Sequence, residues 1–150
     1  MTPLTTPSLA QLINRAARAL ARDADFALTP LGLRYAQVPV LALLHEGMEL
    51  TQKELAEATG IEQPSMAQLL TRMDRDGLVR RKPNPRDARS QTIALAPGTG
   101  ARLNDARDRL AALNSRAVAG FTAEEINTLT HLLTRLGDNL DRRKDAITNP

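Results

Sequence analysis

The basic side chains of this sequence are concentrated in one short stretch. Between Arg72 and Arg89, seven Lys and Arg residues stand against three Asp residues, a net charge of +4, whereas the whole chain carries +3. The densest part, RRKPNPRDARS at residues 80–90, contains no aromatic side chain. A local basic patch on an otherwise balanced chain is typical of a protein that binds nucleic acid. A solvated charged surface is the alternative interpretation.

Other kinds of chemistry find little support in the sequence. There is no cysteine, so disulfides, thiol nucleophiles and Cys-based zinc sites are excluded. His45 and His131 are isolated, and PGTG at residues 97–100 lacks the lysine and the glycine spacing of a phosphate-binding loop. An enzyme is the rival class, but we expect no catalytic residues, no metal ion and no cofactor.

The composition indicates a single, mainly α-helical domain over residues 1–150. Hydrophobic residues make up 42% of the chain and aromatic residues only 2%, which favours helices packed through aliphatic side chains. The first basic residue is Arg15, and the longest apolar run, Val38 to Leu44, is too short to cross a bilayer. We therefore expect a soluble cytoplasmic protein with no membrane partner.

Hydrophobic periodicity predicts helices at both ends of the chain. One apolar face lies within residues 8–28 and consists of Leu9, Ile13, Ala16 and Leu20. Another helix restarts at Pro97 and continues towards Gly120. A capping box at Thr122 then begins the last helix, whose seam has the spacing of a helix that packs along another helix: Ile126, Leu129, Leu133, Leu136 and Leu140. Residues 8–28 and 101–147 therefore form the predicted helical dimerisation region.

The middle of the chain has the start and stop signals of short helices. One helix begins near Val38, because proline at the next position is tolerated only in a first turn, and Gly47 closes it. Thr51-Gln52-Lys53-Glu54 is a capping box, and the helix that it starts ends at Gly60. Pro64 suits the first position of the next helix, which ends at Gly77 and has an apolar face of Met66, Leu69, Leu70 and Met73.

A β-hairpin is predicted directly after these helices. Residues 78–81 and 92–95 have the composition of short antiparallel strands, and the basic stretch forms the tip between them. Two short helices joined by a glycine-containing turn and followed by a hairpin constitute a winged helix-turn-helix. We therefore predict a mainly α fold with a small β-hairpin, in which residues 37–100 form a winged helix-turn-helix DNA-binding lobe.

The second helix of such a unit reads the major groove, so its outward face should be polar. The face opposite the apolar residues carries Ser65, Gln68, Thr71, Arg72 and Arg75. Gln68 suits adenine and Arg72 suits guanine, each contact contributing roughly 1–3 kcal/mol of discrimination. Arg75 suits a phosphate equally well. An ordinary amphipathic surface helix is the alternative, and the following hairpin argues against it.

From about Gln37 to Leu103 the sequence resembles the multiple antibiotic resistance regulator (MarR) family of bacterial transcription factors. The most specific pieces are RMDRDGLVRR at residues 72–81 and NPRDARS at residues 84–90. The second piece matches the Asp-x-Arg wing signature of the family at Asp87 and Arg89. By this resemblance Arg89 enters the minor groove and Asp87 holds it in position.

Physical chemistry agrees with that assignment. A narrow minor groove attracts an inserted arginine, and a nearby carboxylate can orient the guanidinium through a charge-assisted pair. Pro83 and Pro85 stiffen the wing by fixing φ. The remaining bases of the stretch are expected to contact phosphates and to make the affinity dependent on salt: Arg80, Arg81, Lys82 and Arg86.

The resemblance implies three partners. The family's members are homodimers whose N- and C-terminal helices interlock, so the double-stranded operator should be an approximate palindrome, with repression the commoner mode. Small aromatic acids or phenols serve as effectors. Here an aromatic effector has Tyr35, His45 and Arg15 or Arg18 as candidate contacts, each of which also has a structural explanation. A winged helix that binds protein or RNA stays open, because a fold does not determine function.

Overall fold

The computed structural model describes residues 6–148, and the side chains of residues 6–45 and 47–142. Two compact units are present, one ending at Leu113 and the other beginning at Asn114. The first unit contains α1 (Leu9–Leu28), α2 (Val38–Leu43), β1 (Leu50–Thr51), α3 (Gln52–Thr59), α4 (Gln63–Arg75), β2 (Val79–Pro83), β3 (Gln91–Leu95) and most of α5 (Thr99–Ala117). The second unit contains the end of α5 and all of α6 (Ala123–Thr148). The predicted fold class, mainly helical with a small sheet, is confirmed.

Side chains cap the starts of three helices. The Glu54 backbone N–H donates to Thr51 Oγ1 at 3.2 Å, and the Thr51 N–H donates to Glu54 Oε2 at 2.7 Å. The same reciprocal pair joins Thr122 and Glu125 at the start of α6. Both predicted capping boxes are therefore present, and each satisfies two orphan N–H groups of its helix. A third box, with Ser8 as the N-cap, begins α1.

The turn between α4 and β2 is closed by Gly77 and Leu78. Gly77 has a φ of +73°, which a side chain would strain, and its N–H donates to the Asp74 carbonyl oxygen at 3.0 Å. The Leu78 N–H donates to the Met73 carbonyl oxygen at 2.9 Å, while its side chain is completely buried. This Schellman motif ends the helix where the sequence predicts and turns the chain into the hairpin.

The sheet has one more strand than the sequence predicts. The strand order is β1-β3-β2, all antiparallel, with Leu50 opposite Ile93 and Val79 opposite Leu95. β1 is only two residues long, so no alternation of side chains marks it in the sequence. It ties the segment before α3 to the wing.

Several other boundaries differ from expectation. α2 ends at Leu43 instead of continuing to Gly47, and the hairpin strands are Val79–Pro83 and Gln91–Leu95 instead of 78–81 and 92–95. α5 begins at Thr99 instead of Pro97, because Gly98 adopts a φ of +83° and places Pro97 in a turn before the helix. At the start of α5 the buried Thr99 hydroxyl donates to the Leu78 carbonyl oxygen at 3.0 Å. Pro64 is the second residue of α4 and not the first, a position where its missing N–H still costs nothing.

The hydrophobic core lies in the first unit. It is built from side chains of α2, α3, α4, the sheet and α5, and its almost completely buried members include Leu41, Leu55, Leu70, Ile93 and Leu103. The C-terminal end of α1 is held by α5, because the guanidinium groups of Arg102 and Arg109 donate to the carbonyl oxygens of Leu31 and Ala27. This packing fixes the helix-turn-helix as one body with its wing.

No helix within residues 6–148 is by itself long and apolar enough to span a membrane. The segments Leu9–Leu31 and Tyr35–Leu43 satisfy the length and hydropathy requirements only as a pair, which is bent by 87°.

Replacing Gly77 tests the turn that joins α4 to the wing. A methyl group at this position would meet no atom within 4 Å, so only the backbone conformation opposes it. We expect Gly77→Ala to lower the free energy of unfolding by about 1–2 kcal/mol, and Gly77→Asn by clearly less, because Asn tolerates the left-handed region. Urea denaturation measures both. Equal losses would mean that the backbone conformation is not the cause.

Candidate nucleic-acid interface

The outward face of α4 is polar and exposed. Met66, Leu70 and Met73 are buried in the core, which turns the opposite side of the helix towards solvent. All the residues that the sequence predicts for DNA recognition on this helix are exposed: Ser65, Gln68, Thr71, Arg72 and Arg75. The Thr71 hydroxyl donates to the Ala67 carbonyl oxygen at 2.9 Å, so its oxygen remains available only as an acceptor.

The two arginines of this face have different surroundings. Arg75 Nε lies 3.2 Å from the Asp76 carboxylate, an exposed pair between neighbours in sequence. Arg72 forms no ion pair with any side chain that the structure describes. Its guanidinium therefore has more donors available for a base edge or a phosphate than that of Arg75.

The wing tip, residues 84–90, is a folded loop organised by Asn84. The Asn84 side chain is buried; its amide donates to Ser90 Oγ at 2.8 Å, and its oxygen accepts the Arg86 N–H at 3.0 Å. The backbone N–H of Asn84 also donates to the Ser90 carbonyl oxygen at 3.2 Å. Sequence reasoning missed this residue, although an Asn between two prolines is a turn signal. The tip is therefore a shaped loop, and Asn84 sets its shape.

Asp87 acts on the backbone of the tip. Its Oδ1 accepts the Arg89 backbone N–H at 2.9 Å, an Asx-type turn. No ion pair joins the Asp87 carboxylate to the Arg89 guanidinium among the contacts that the structure describes. The expected pair between these two side chains is thus replaced by a bond to the main chain. Asp87 orients Arg89 through its peptide, and the guanidinium is left exposed.

Three other wing bases are paired with acids that lie outside the wing. Arg81 Nε lies 3.6 Å from Asp74 Oδ2 on α4, and Lys82 Nζ donates to Glu49 Oε1 just before β1. Arg86 Nη2 lies 3.7 Å from Glu54 Oε1 on α3. The sequence predicts these bases as phosphate contacts, and it gives no sign that each one has an acidic neighbour. Arg80 and Arg89 make no such pair within the described part of the chain.

The two acids nearest the wing are held in their charged form. Hydrogen bonds from the backbone N–H and the hydroxyl of Thr51, with the nearby Arg86, lower the pKa of the Glu54 carboxyl. The hydrogen bond from Lys82 lowers the pKa of the Glu49 carboxyl, against partial desolvation. Both carboxylates are therefore ionised near neutral pH, when the wing bases are positively charged.

A groove of about 760 Å³ runs between the wing and the start of α3 and α4. Lys53, Gln63, Arg81, Asn84 and Arg89 are among the residues that line it. Two of its lining residues are joined by a hydrogen bond, which the Gln52 side-chain amide donates to Gln63 Oε1 at 3.2 Å. No cluster of His, Asp or Glu side chains able to hold a metal ion occurs in the part of the chain described.

The effector candidates from the sequence lie apart from this groove. Tyr35 is partly exposed, and its backbone N–H donates to the Asp25 carboxylate at 2.7 Å. The His45 ring faces the start of α5, where a methyl group built on Gly100 would lie 3.8 Å from its Nδ1. Arg15 and Arg18 are exposed on α1.

The geometry defines a class of protein. Two helices, α3 and α4, joined by a short turn and followed by a basic β-wing, make a winged helix-turn-helix protein. A family model described as "MarR family" matches residues 31–90. Residues 31–90 therefore resemble the MarR family, and the fold of the chain is similar to that of solved MarR-family structures.

Relatives of known role support this assignment. The homoprotocatechuate degradative operon repressor of Escherichia coli is 36% identical over 94 residues, which cover 63% of this chain and 64% of the repressor. A MarR variant from Escherichia coli, solved in complex with operator DNA, superposes with a TM-score of 0.79 at 27% identity over 85% of this chain and 92% of its own. The transcriptional repressor CouR, bound to a 23-mer DNA duplex, gives 0.78 at 26% identity over 87% and 92%. All three are regulators of transcription and not enzymes.

Substitution of Asp87 distinguishes its two suggested roles. Asp87→Asn keeps an oxygen that accepts the Arg89 N–H but removes the charge, whereas Asp87→Ala removes both. We expect amide hydrogen exchange at Arg89 to be unchanged in the Asn variant. In the Ala variant it should be faster by about fivefold, the equivalent of roughly 1 kcal/mol for one hydrogen bond. If Asn accelerated exchange as much as Ala, the carboxylate charge would be the important property.

Proposed function

We propose that the protein is a homodimeric repressor that binds a pseudo-palindromic DNA operator and is released by a small aromatic or phenolic ligand. The observation that carries the proposal is the exposed polar face of α4 beside a hydrogen-bonded wing tip, whose Arg89 has no ion pair among the side chains that the structure describes. We expect the protein to act in the cytoplasm, where a bacterial chromosome lies.

Base recognition is assigned to α4. Gln68, Thr71 and Arg72 line one exposed shallow depression of the helix surface, so they can reach adjacent base edges together. Ser65 lies one turn nearer the start of the helix, and Arg75 lies at its end, where a phosphate contact is the simpler role. Sequence discrimination would come mainly from Gln68 and Arg72, whose side chains suit adenine and guanine.

The wing supplies the second contact. Arg89 is exposed at the tip, and its peptide N–H is fixed by Asp87, so less conformational entropy is lost when its guanidinium enters a minor groove. Arg86 is exposed near the same tip and adds positive charge. We therefore assign Arg89 to the minor groove, Asp87 to its positioning and Arg86 to the DNA backbone.

A second copy of the chain is the proposed partner of the terminal helices. In α6 the side chains of Leu129, Leu132, Leu133 and Leu140 are 42–62% exposed, and α1 exposes Leu9 and Leu12. Apolar surface of this extent on a small protein is unfavourable in water and is usually covered. In a two-fold dimer the recognition helices lie about 34–36 Å apart, which fits successive major grooves.

The effector is proposed from the family and from one relative. The Escherichia coli repressor is named for an operon that degrades homoprotocatechuate, which is an aromatic acid. A ligand of that chemical class needs an apolar surface and a cation. Tyr35 with Arg15 or Arg18 offers both kinds of group, and His45 can serve as a hydrogen-bonding partner.

Fluorescence anisotropy with the DNA that flanks its own gene tests the proposed recognition. We expect selective binding over a scrambled duplex of equal length, with an affinity that falls steeply with salt. Gln68→Ala should weaken operator binding by roughly 5–150-fold, the equivalent of 1–3 kcal/mol, and leave the scrambled duplex unaffected. Arg89→Ala should weaken operator binding at least about tenfold.

Arg107→Ala is the matched control for these variants. Arg107 is exposed on α5, outside α4 and the wing, and its loss changes the net charge as the loss of Arg89 does. Unchanged operator affinity in Arg89→Ala would contradict the role of the wing. Binding without sequence preference in the wild type would instead favour a protein or RNA partner.

Sedimentation velocity tests the homodimer. Leu133 lies midway along the exposed seam of α6, so Leu133→Arg would place a buried charge at the interface. We expect the wild type to sediment as two chains and the variant to dimerise at least about a hundredfold more weakly, at about 1.4 kcal/mol per tenfold. His131→Arg adds the same charge on the opposite side of the helix and should leave the dimer intact. A monomeric wild type would contradict the proposal.

A further inference from the structure

The Glu54 carboxylate has two different neighbours, one for each oxygen. Oε2 accepts the Thr51 N–H at 2.7 Å and the Thr51 hydroxyl at 3.1 Å, which completes the capping box of α3. Oε1 is directed at the wing, 3.7 Å from Arg86 Nη2. The cap therefore fixes the side chain in an orientation that presents a negative charge to the wing tip.

The other end of this contact is also fixed in advance. The Arg86 backbone N–H donates to Asn84 Oδ1, and Asn84 is itself buried and bonded to Ser90. An exposed ion pair is usually weak because two long side chains must be ordered to form it. Here Glu54 and the main chain of Arg86 are already ordered, so less entropy is lost.

The contact is nevertheless one that DNA can replace. A separation of 3.7 Å is too long for a hydrogen bond, and the Arg86 side chain is 72% exposed. Phosphate oxygens would compete with Glu54 for the same guanidinium, and phosphate contacts carry no sequence information. A phosphate that draws the Arg86 guanidinium away from Glu54 also costs this ion pair, so Arg86 adds less to the affinity for DNA of any sequence.

We propose that Glu54 is a positioning residue for the wing, which holds the Arg86 guanidinium on the protein and so limits the sequence-independent part of DNA affinity. The inference rests on the proposed DNA-binding function. The carboxylate that caps α3 would therefore also limit how tightly the wing binds phosphates.

Binding of a scrambled duplex to Glu54→Gln tests the inference. Glutamine also completes a capping box, so the substitution removes the charge and keeps the helix start. We expect the affinity to rise by about two- to fivefold, the range of one exposed ion pair. Loss of folding would lower the affinity, so an increase is not explained by a structural defect.

Glu57→Gln is the matched control. Glu57 lies on the same helix and loses the same charge, but its partner is Lys53 and not a wing residue. We expect the affinity for the scrambled duplex to rise less in Glu57→Gln than in Glu54→Gln. When Arg86 is also replaced by Gln, the two substitutions should raise this affinity equally. Equal effects while Arg86 is present, or an excess for Glu54→Gln that persists without Arg86, would overturn the inference.

A second comparison does not depend on the folding of the Glu54 variant. Arg86→Gln should weaken binding of the scrambled duplex less than Arg80→Gln, because Arg80 is exposed on β2 with no ion pair among the described side chains. A larger loss for Arg86→Gln would overturn the inference. Wild-type protein that bound neither duplex would overturn the proposed function as well, so the two failures are distinguishable.

Discussion

The position of the wing relative to the recognition helix depends on Leu78. Its side chain is completely buried, and its N–H bonds to the Met73 carbonyl at the end of α4. Its own carbonyl oxygen accepts the Ala96 N–H and the Thr99 hydroxyl, both at 3.0 Å. One residue thus joins α4, the hairpin and α5. Because buried backbone groups must be bonded, these hydrogen bonds hold the wing and α5 against α4.

The basic side chains of the wing fall into two groups, those with an acidic partner and those without one among the described side chains. Arg86 faces a carboxylate on α3 and Arg81 one on α4, while Lys82 faces Glu49 in the segment before β1. Arg80 and Arg89 are exposed and have no such partner among the described side chains. In our interpretation Arg81 and Lys82 brace the wing against the lobe, and Arg86 contacts DNA in competition with Glu54. Arg80 and Arg89 are available to DNA directly. A count of Lys and Arg residues along the sequence therefore overestimates the number of basic side chains that have no acidic partner.

Local signals in the sequence predicted most of the fold. The reciprocal bonds of Thr51 with Glu54 need only residues three apart, and Gly60 and Gly77 adopt left-handed conformations where a helix must end. The polar face of α4 followed from its 3.6-residue period. The prediction failed at β1, which is too short to show a period and exists only because β3 pairs with it. The predicted start of α5 at Pro97 was wrong, because proline suits a turn before a helix as well as the first turn of a helix.

The sequence by itself determined the helices, their caps and the position of the basic wing, since each depends on residues within about one turn of one another. Only the tertiary structure decided which bases are neutralised, because Lys82 meets Glu49 and Arg86 meets Glu54 across 33 and 32 positions of the chain. It likewise decided that Asp87 bonds to the peptide of Arg89 instead of its guanidinium. The Asp87 carboxylate could accept a hydrogen bond from the backbone N–H or from the guanidinium of Arg89. In the folded tip it accepts the one from the backbone N–H.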